Sequence, residues 1–171
     1  MAIGTEMGEY LVGAYLRVVE ECDFVDYNVH PPGGGQRGLE ELDVVAFNFE
    51  KRTAFLCEVT THIRGLLYKD YDTTVKRISD KFKRQQTYAQ DRLAFMRKHR
   101  FMFWSPVVSS GLVERLKRIR GLELVINEDY TKCISELQES AKLYSHDVGN
   151  PAYRVFQILA HMKKDASEIA K

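Results

Sequence analysis

Cysteine is scarce in this chain. Cys22, Cys57 and Cys133 are odd in number and far apart, and no CxxC pair occurs. A disulfide framework or a cysteine-built zinc site is therefore disfavoured, and a reducing, cytoplasmic setting is the default expectation. Long apolar stretches are missing too. Runs such as V-V-A-F at 44–47 and A-F-L-C at 54–57 fall far short of the roughly 20 residues of a membrane helix. No membrane partner is expected. The opening M-A-I-G-T-E-M-G-E lacks the basic start and apolar stretch of a signal peptide. There is no G-x-S-x-G and no readable Cys-His dyad, and His30, His62, His99, His146 and His161 share no metal-ligand spacing. The glycine run P-G-G-G-Q-R-G at 32–38 lacks the spacing of a Walker loop and no helix follows it, which disfavours nucleotide binding. Its glycines permit close approach to a backbone, and a structural loop is the alternative.

What is present fits one globular domain. The chain has 171 residues and 19.8 kDa, with 44% apolar and 29% charged residues. A chain of this size can bury roughly 70% of its extended surface and needs no staple. No linker, repeat or low-complexity segment divides it. The net charge is only +1, yet residues 62–120 hold 15 Lys/Arg against 5 Asp/Glu, leaving −9 on the remainder. A basic third beside an acidic remainder suits an anionic partner and a separate carboxylate-rich region. A solvated basic helix face is the plain alternative.

Hydrophobic periodicity gives the order α-β-β-β-α-β-α-β-α-α. Met7, Leu11, Ala14, Tyr15 and Val18 recur at helical spacing over 4–21, with Thr5 as a cap. Phe24–Val29 reads as a strand. Residues 39–49 and 53–61 read as a hairpin closed by Glu50-Lys51-Arg52. Residues 70–98 form a long helix with Ile78, Phe82, Ala89, Leu93 and Met96 inward. A strand over 101–108 follows, where Pro106 suggests an edge or a strand end. Then come a short helix from Ser109/Ser110 to Arg118, a strand over 122–126 and a helix over 128–143. The last helix starts at Asn150-Pro151 and is expected to bury Val155, Phe156, Leu159 and Met162. Trp104, Phe103 and Cys57 read as core. Together these elements predict an α/β domain over 1–171, with a mixed sheet flanked by helices.

The hairpin carries the chemistry. Asp43 and Glu58 interrupt otherwise apolar strands, and ionised carboxylates are costly to bury alone. Strand alternation puts Asp43 with Val45 and Phe47, and Glu58 with Leu56 and Thr60. With a turn at 50–52 the two carboxylates meet at the open end of the hairpin. At about 4 Å they would repel by roughly 4 kcal/mol at an effective dielectric near 20. A shared proton, a lysine or arginine, or a hard divalent cation such as Mg²⁺ or Mn²⁺ would neutralise them.

These residues resemble the PD-(D/E)XK nuclease superfamily, the restriction-endonuclease-like fold that includes Holliday junction resolvases. The family core is αβββαβ, and residues 4–108 read in that order; the resemblance does not extend to the αβαα extension over 109–171. Asp43 stands at the family's aspartate and Glu58 at the glutamate of E-x-K. Glu9 stands where the first-helix glutamate does, six residues before Tyr15-Leu16, with Glu6 as its competitor. Gln85 or Gln86 is similar to the second-helix glutamine of several subfamilies. The family's strand lysine is replaced by Thr60. In this superfamily the lysine can come from the neighbouring helix, and Lys81 is the better candidate here, since Lys81, Gln85 and Tyr88 share a face at 4- and 7-residue spacing; Lys76 is the weaker one. The resemblance implies a DNA endonuclease in which Asp43, Glu58 and the Val59 carbonyl hold Mg²⁺ (or Mn²⁺) and Glu9 holds a second metal. Lys81 would orient water or stabilise charge, with Gln85 and Thr60 in support. Arg64, Lys69, Lys76, Lys83, Arg84 and the Arg115/Lys117/Arg118/Arg120 cluster would meet phosphates. The residues do not separate DNA from RNA. Homodimerisation would suit junction or duplex cleavage, though no residue demands it. An inactive nuclease-fold module that binds nucleic acid or protein is the alternative.

Overall fold

The computed structural model describes residues 4–31 and 41–162. The glycine loop at 32–38 and the first residues of the predicted strand 39–49 lie outside them, apart from Glu41 onward. The elements are α1 (Met7–Val18), β1 (Phe24–Val29), β2 (Leu42–Asn48), β3 (Thr53–Val59), α2 (Tyr71–Arg92), β4 (Lys98–Ser105), α3 (Ser110–Leu116), β5 (Leu122–Ile126), α4 (Glu128–Leu143) and α5 (Pro151–His161). Their order is the one that periodicity predicts.

One five-stranded mixed sheet runs β1-β2-β3-β4-β5. β1, β2 and β3 form an antiparallel meander, while β4 and β5 continue parallel to β3. The β2–β3 turn closes locally: Asn48 Oδ1 accepts the Lys51 N–H at 2.8 Å. The two parallel steps go the same way across the sheet, and a single crossover hand brings their helices to one face. There α2 and α3 cover Val45, Leu56 and Phe103 through Ile78, Ala89, Leu112 and Leu116, with Leu93 added from the connection after α2. On the other face α1 packs Val12, Tyr15 and Leu16 on Val44, Phe55, Cys57 and Trp104. α4 and α5 close against α1 through Leu137, Ala141 and Tyr153. The outcome is a three-layer α/β arrangement. Trp104, Phe103 and Cys57 are fully buried.

Three local expectations need correction. Thr5 does not cap α1. Glu6 is the N-cap, its N–H donates to Glu9 Oε2 at 3.0 Å, and the Thr5 hydroxyl accepts from Asn28 Nδ2 instead. Met7 is exposed, and the buried side of α1 runs through Gly8, Val12, Tyr15 and Leu16. The long helix ends at Arg92, so Leu93 and Met96 are buried from the connection that follows. In α5, Val155, Leu159 and Met162 are exposed, and Ala152, Tyr153 and Gln157 face inward. Asn150 sets that orientation. It accepts from the Tyr153 N–H at 3.0 Å and donates to the Tyr10 carbonyl and the Tyr27 hydroxyl, tying α5 to α1 and β1. Pro106 lies just past the end of β4, a central strand.

Two glycines on α1 allow this packing. A Cβ at Gly13 would lie 2.1 Å from the Tyr27 hydroxyl and 2.6 Å from two ring carbons. A Cβ at Gly8 would meet the Thr61 methyl at 2.1 Å, but Thr61 is exposed and its methyl can turn away. Gly13→Ala should therefore cost about 1–3 kcal/mol, and Gly8→Ala distinctly less, measured as urea midpoints of the two variants. Equal midpoints would contradict the Tyr27 contact.

Candidate functional site at the carboxyl end of the sheet

The carboxyl ends of β3, β4 and β5 lie along one edge of the sheet, and the start of β2 lies beside them. Ligands of open α/β sheets bind outside that edge, where helix N-termini and strand ends leave a crevice. The β2–β3 register pairs Val44 with Cys57. One step further it sets Asp43 opposite Glu58, with both side chains on the α2 face. Glu58 is 5% exposed, and the Asp43 side chain is almost as enclosed. Asp43 Oδ2 accepts the Val59 N–H at 2.7 Å, which fixes the carboxylate against the end of β3.

Lys81 comes down from α2 onto this pair. Its ammonium forms an ion pair with Glu58 Oε1 and lies 3.9 Å from Asp43 Oδ1. Burial pushes the Asp43 carboxyl up from its ordinary range, and Lys81 and the Val59 N–H oppose that rise without cancelling it. Burial likewise pulls the Lys81 ammonium down, against the pull of Asp43 in the other direction. The site thus holds charge under desolvation stress from both partners, a pattern that concentrates at functional positions. Lys76 takes no part: its side chain is 78% exposed and pairs with Asp80 at 2.6 Å.

Polar groups surround the triad. Gln85, one turn beyond Lys81, is 1% exposed, and neither its Oε1 nor its Nε2 has a hydrogen-bond partner among the described residues. The same holds for the buried Thr60 hydroxyl. The Thr60 N–H donates to the Trp104 carbonyl at 2.9 Å, which places Ser105 alongside. Ser105 Oγ is also buried with no partner among the described residues. Ser105 escaped sequence reading; its only signal is a hydroxyl closing the apolar run F-M-F-W. Each such group costs about 1–3 kcal/mol unless something hydrogen-bonds it.

Glu9 approaches from α1. The missing side chain of Gly8 lets the start of the helix sit on Val59 and Thr61. Glu9 is buried, whereas its competitor Glu6 is exposed. Burial raises the Glu9 carboxyl to about 7; the Glu6 N–H opposes this and the Asp43 charge adds to it. Among the described residues no three His, Cys, Asp or Glu side chains stand close enough together to hold a metal ion by themselves. Asp43 and Glu58 form the pair, and Glu9 stands apart from it.

Basic residues are spread over the connection after β3, over α2 and over α3, and Arg118 and Arg120 precede the amino end of β5, away from the carboxylate pair. Arg64 and Lys69 are exposed on the connection after β3, Gln86 is half-buried, and Lys83 is exposed on α2. Arg84 lines a cleft of about 320 Å³ with Tyr88, Arg92 and Leu42. Arg115 is paired with Asp72 and Lys117 with Glu114, while Arg118 and Arg120 are exposed. His62 stacks edge-on against Tyr68. No helix among the described residues is long and apolar enough to cross a membrane. Compared with known proteins, the chain matches no family model, no curated protein and no solved structure.

The Glu9 shift has a defined sign. Its folded value lies above the ordinary 4.5, so the stability attached to it is full below about pH 4.5 and is lost as pH rises through about 7. Glu9→Gln keeps an oxygen acceptor for the Glu6 N–H. In metal-free buffer the variant should gain on wild type between pH 4.5 and 7 and hold a constant lead above, read as urea midpoints. A pH-independent difference would mean that folding leaves the Glu9 carboxyl unshifted.

Proposed function

We propose that this chain is a Mg²⁺-dependent phosphodiester hydrolase acting on DNA, built on a restriction-endonuclease-like αβββαβ core. The observation that carries this reading is Lys81, which reaches the carboxylate pair from α2, as the resemblance would require of a helix lysine where the strand holds Thr60. The element order and the position of the pair at the carboxyl edge support it.

The donor set fits the metal. Mg²⁺ commonly binds through one or two carboxylates and keeps several waters, so Asp43, Glu58 and the Val59 carbonyl suffice without a third acid. When bound, it supplies Lewis-acid polarisation of the scissile phosphate and an acidified water. Lys81 orients the attacking water and offsets charge on the phosphorane. Its lowered proton affinity suits it to proton transfer as well. In-line attack by water would form the new P–O bond and break the P–O3′ bond, leaving a 5′-phosphate and a 3′-hydroxyl that takes up a proton. Gln85 and Thr60 bring hydrogen-bonding capacity that the described residues leave unused, available to a phosphate oxygen or to Lys81. Glu9 adds a third carboxyl at the rim, where it could hold a second metal. Arg64, Lys76, Lys83 and Arg84 would meet backbone phosphates, which gives affinity without sequence information.

One observation favours a second reading. The Lys81–Glu58 pair neutralises itself, as an inactive nuclease-fold binding module would require. That module would retain DNA in EDTA and cleave nothing.

Nicking of supercoiled plasmid separates the two. Wild type should cut with Mg²⁺ or Mn²⁺ and not in EDTA. Asp43→Ala and Glu58→Ala should fall to the EDTA level, and Lys81→Met should lose about 10²–10⁴-fold, with each fold verified by circular dichroism. Cleavage that survives both carboxylate substitutions rejects the site. Charge reversal at Lys83 and Arg84 should weaken DNA retention and flatten the salt slope by about 2. Unchanged retention and slope would remove α2 as a contact face.

A further inference from the structure

Helix α2 carries a second set of groups beyond Lys81. Arg84, Tyr88 and Arg92 follow one another at four-residue spacing along one side of the helix. With Leu42 and Pro31 they line a cleft of about 320 Å³. Its floor is apolar. Leu42 is buried, and the half-buried Tyr88 ring packs on the cluster that holds Leu42, Val45 and Ala89. Its walls are cationic. Among the described residues neither Arg84 nor Arg92 pairs with a carboxylate, and Asp91 is the only acid of the described lining. The cleft adjoins the carboxylate pair: Leu42 precedes Asp43 on β2, and Arg84 follows Lys81 by three residues, close enough for its charge to act on both Asp43 and Lys81.

We propose that this cleft receives one unpaired nucleotide of the DNA strand, so that the substrate is a strand with a single-stranded or splayed segment and not a fully paired duplex. Its place beside the scissile phosphate rests on the hydrolase reading; the binding does not. The volume is at the small end of ligand pockets, which suits one nucleotide. Tyr88 offers a flat ring, and a base presents its face to such a ring only after leaving the duplex stack. Arg84 and Arg92 stand about 6 Å to either side of Tyr88 along the helix axis. A base on the ring therefore leaves the phosphates on its two sides to the two guanidiniums. A duplex would use the arginines alone, because its phosphates face outward while its bases stay stacked.

Fluorescence anisotropy in EDTA, with a short oligodeoxythymidylate and a duplex of equal length as probes, tests the binding. Wild type should hold the single strand at least about fivefold more tightly than the duplex. Tyr88→Ala should lose at least about fivefold on the single strand, while Tyr88→Phe, which keeps the ring, should bind as wild type does. Arg92→Gln, at an exposed position, should lower the salt slope on the single strand by about 0.7. With Mg²⁺, wild type should cut a forked duplex in preference to the matched one. A wild type that prefers the duplex, a natively folded Tyr88→Ala that binds the single strand undiminished, or an unchanged slope in Arg92→Gln would each overturn the cleft assignment, even where plasmid is nicked. Single-strand preference that is lost in Tyr88→Ala, with no substrate cut, would keep the cleft and remove the hydrolase reading.

Discussion

Two carboxylates on neighbouring strands, turned to the same buried face, are the constraint around which this fold is arranged. Directly opposed cross-strand side chains start about 5 Å apart, and like charges so placed destabilise a sheet. A hairpin selected for stability alone would hold apolar residues at 43 and 58, as it does at 45 and 56. Lys81 is the compensation. Buried ion pairs of this kind often stabilise no more than the hydrophobic residues that could replace them. The arrangement is thus a stability cost concentrated at the one edge of the sheet where ligands of open α/β folds bind.

That compensation dictates the seating of α2. Its first turn is fixed by Asp70, whose side chain accepts the Thr73 N–H at 2.7 Å, and by Thr74, whose hydroxyl bonds the Asp70 and Tyr68 carbonyls. Its inner stripe of Ile78, Phe82 and Ala89 then fixes the rotation. Lys81 is left at the border between buried and open surface, where its stem can pack while its ammonium reaches the pair. From the opposite layer, α1 starts against Val59 and Thr61 at Gly8 and brings Glu9 to the rim. The pair is therefore closed by the sheet and α2, while α1 brings a separate buried carboxyl, Glu9, toward the same strand end.

The hairpin and the pair were legible because strand alternation has a period of two: an acid in an apolar strand must share a face with its neighbours at i±2, and the turn length gives the register. Lys81 was legible from helical spacing to Gln85. The buried side of α1 was not, since it runs through Gly8 and Glu9, residues that carry no apolar signal. The orientation of α5 was not legible either. Tyr153/Phe156 and Val155/Leu159 give two overlapping apolar stripes, and periodicity cannot choose between them. The choice is made by polar ties. Asn150 holds the helix start, and Gln157 donates to the Tyr144 and His146 carbonyls, which turns the Tyr153 side inward. Ser105 was hidden because a lone hydroxyl at a strand end is commonplace, and only the neighbouring Trp104 carbonyl places it beside Thr60.

The lysine that meets the carboxylate pair stands on a helix and not on the sheet, and this decides how the site can respond. A strand lysine moves with the carboxylates, since the sheet holds all three. A lysine on α2 moves with α2, and that same helix carries Lys83 and Arg84 within the next turn. Any polyanion that engages those two residues would press on the element that sets the Lys81–Glu58 contact, and the helix backbone links the two positions rigidly. The buried amide of Gln85 lies on the sheet side of that turn, with hydrogen-bonding capacity that the described residues do not use. The two further cations, Lys83 and Arg84, and the lysine that meets the carboxylate pair thus share one stretch of helix, residues 81–85.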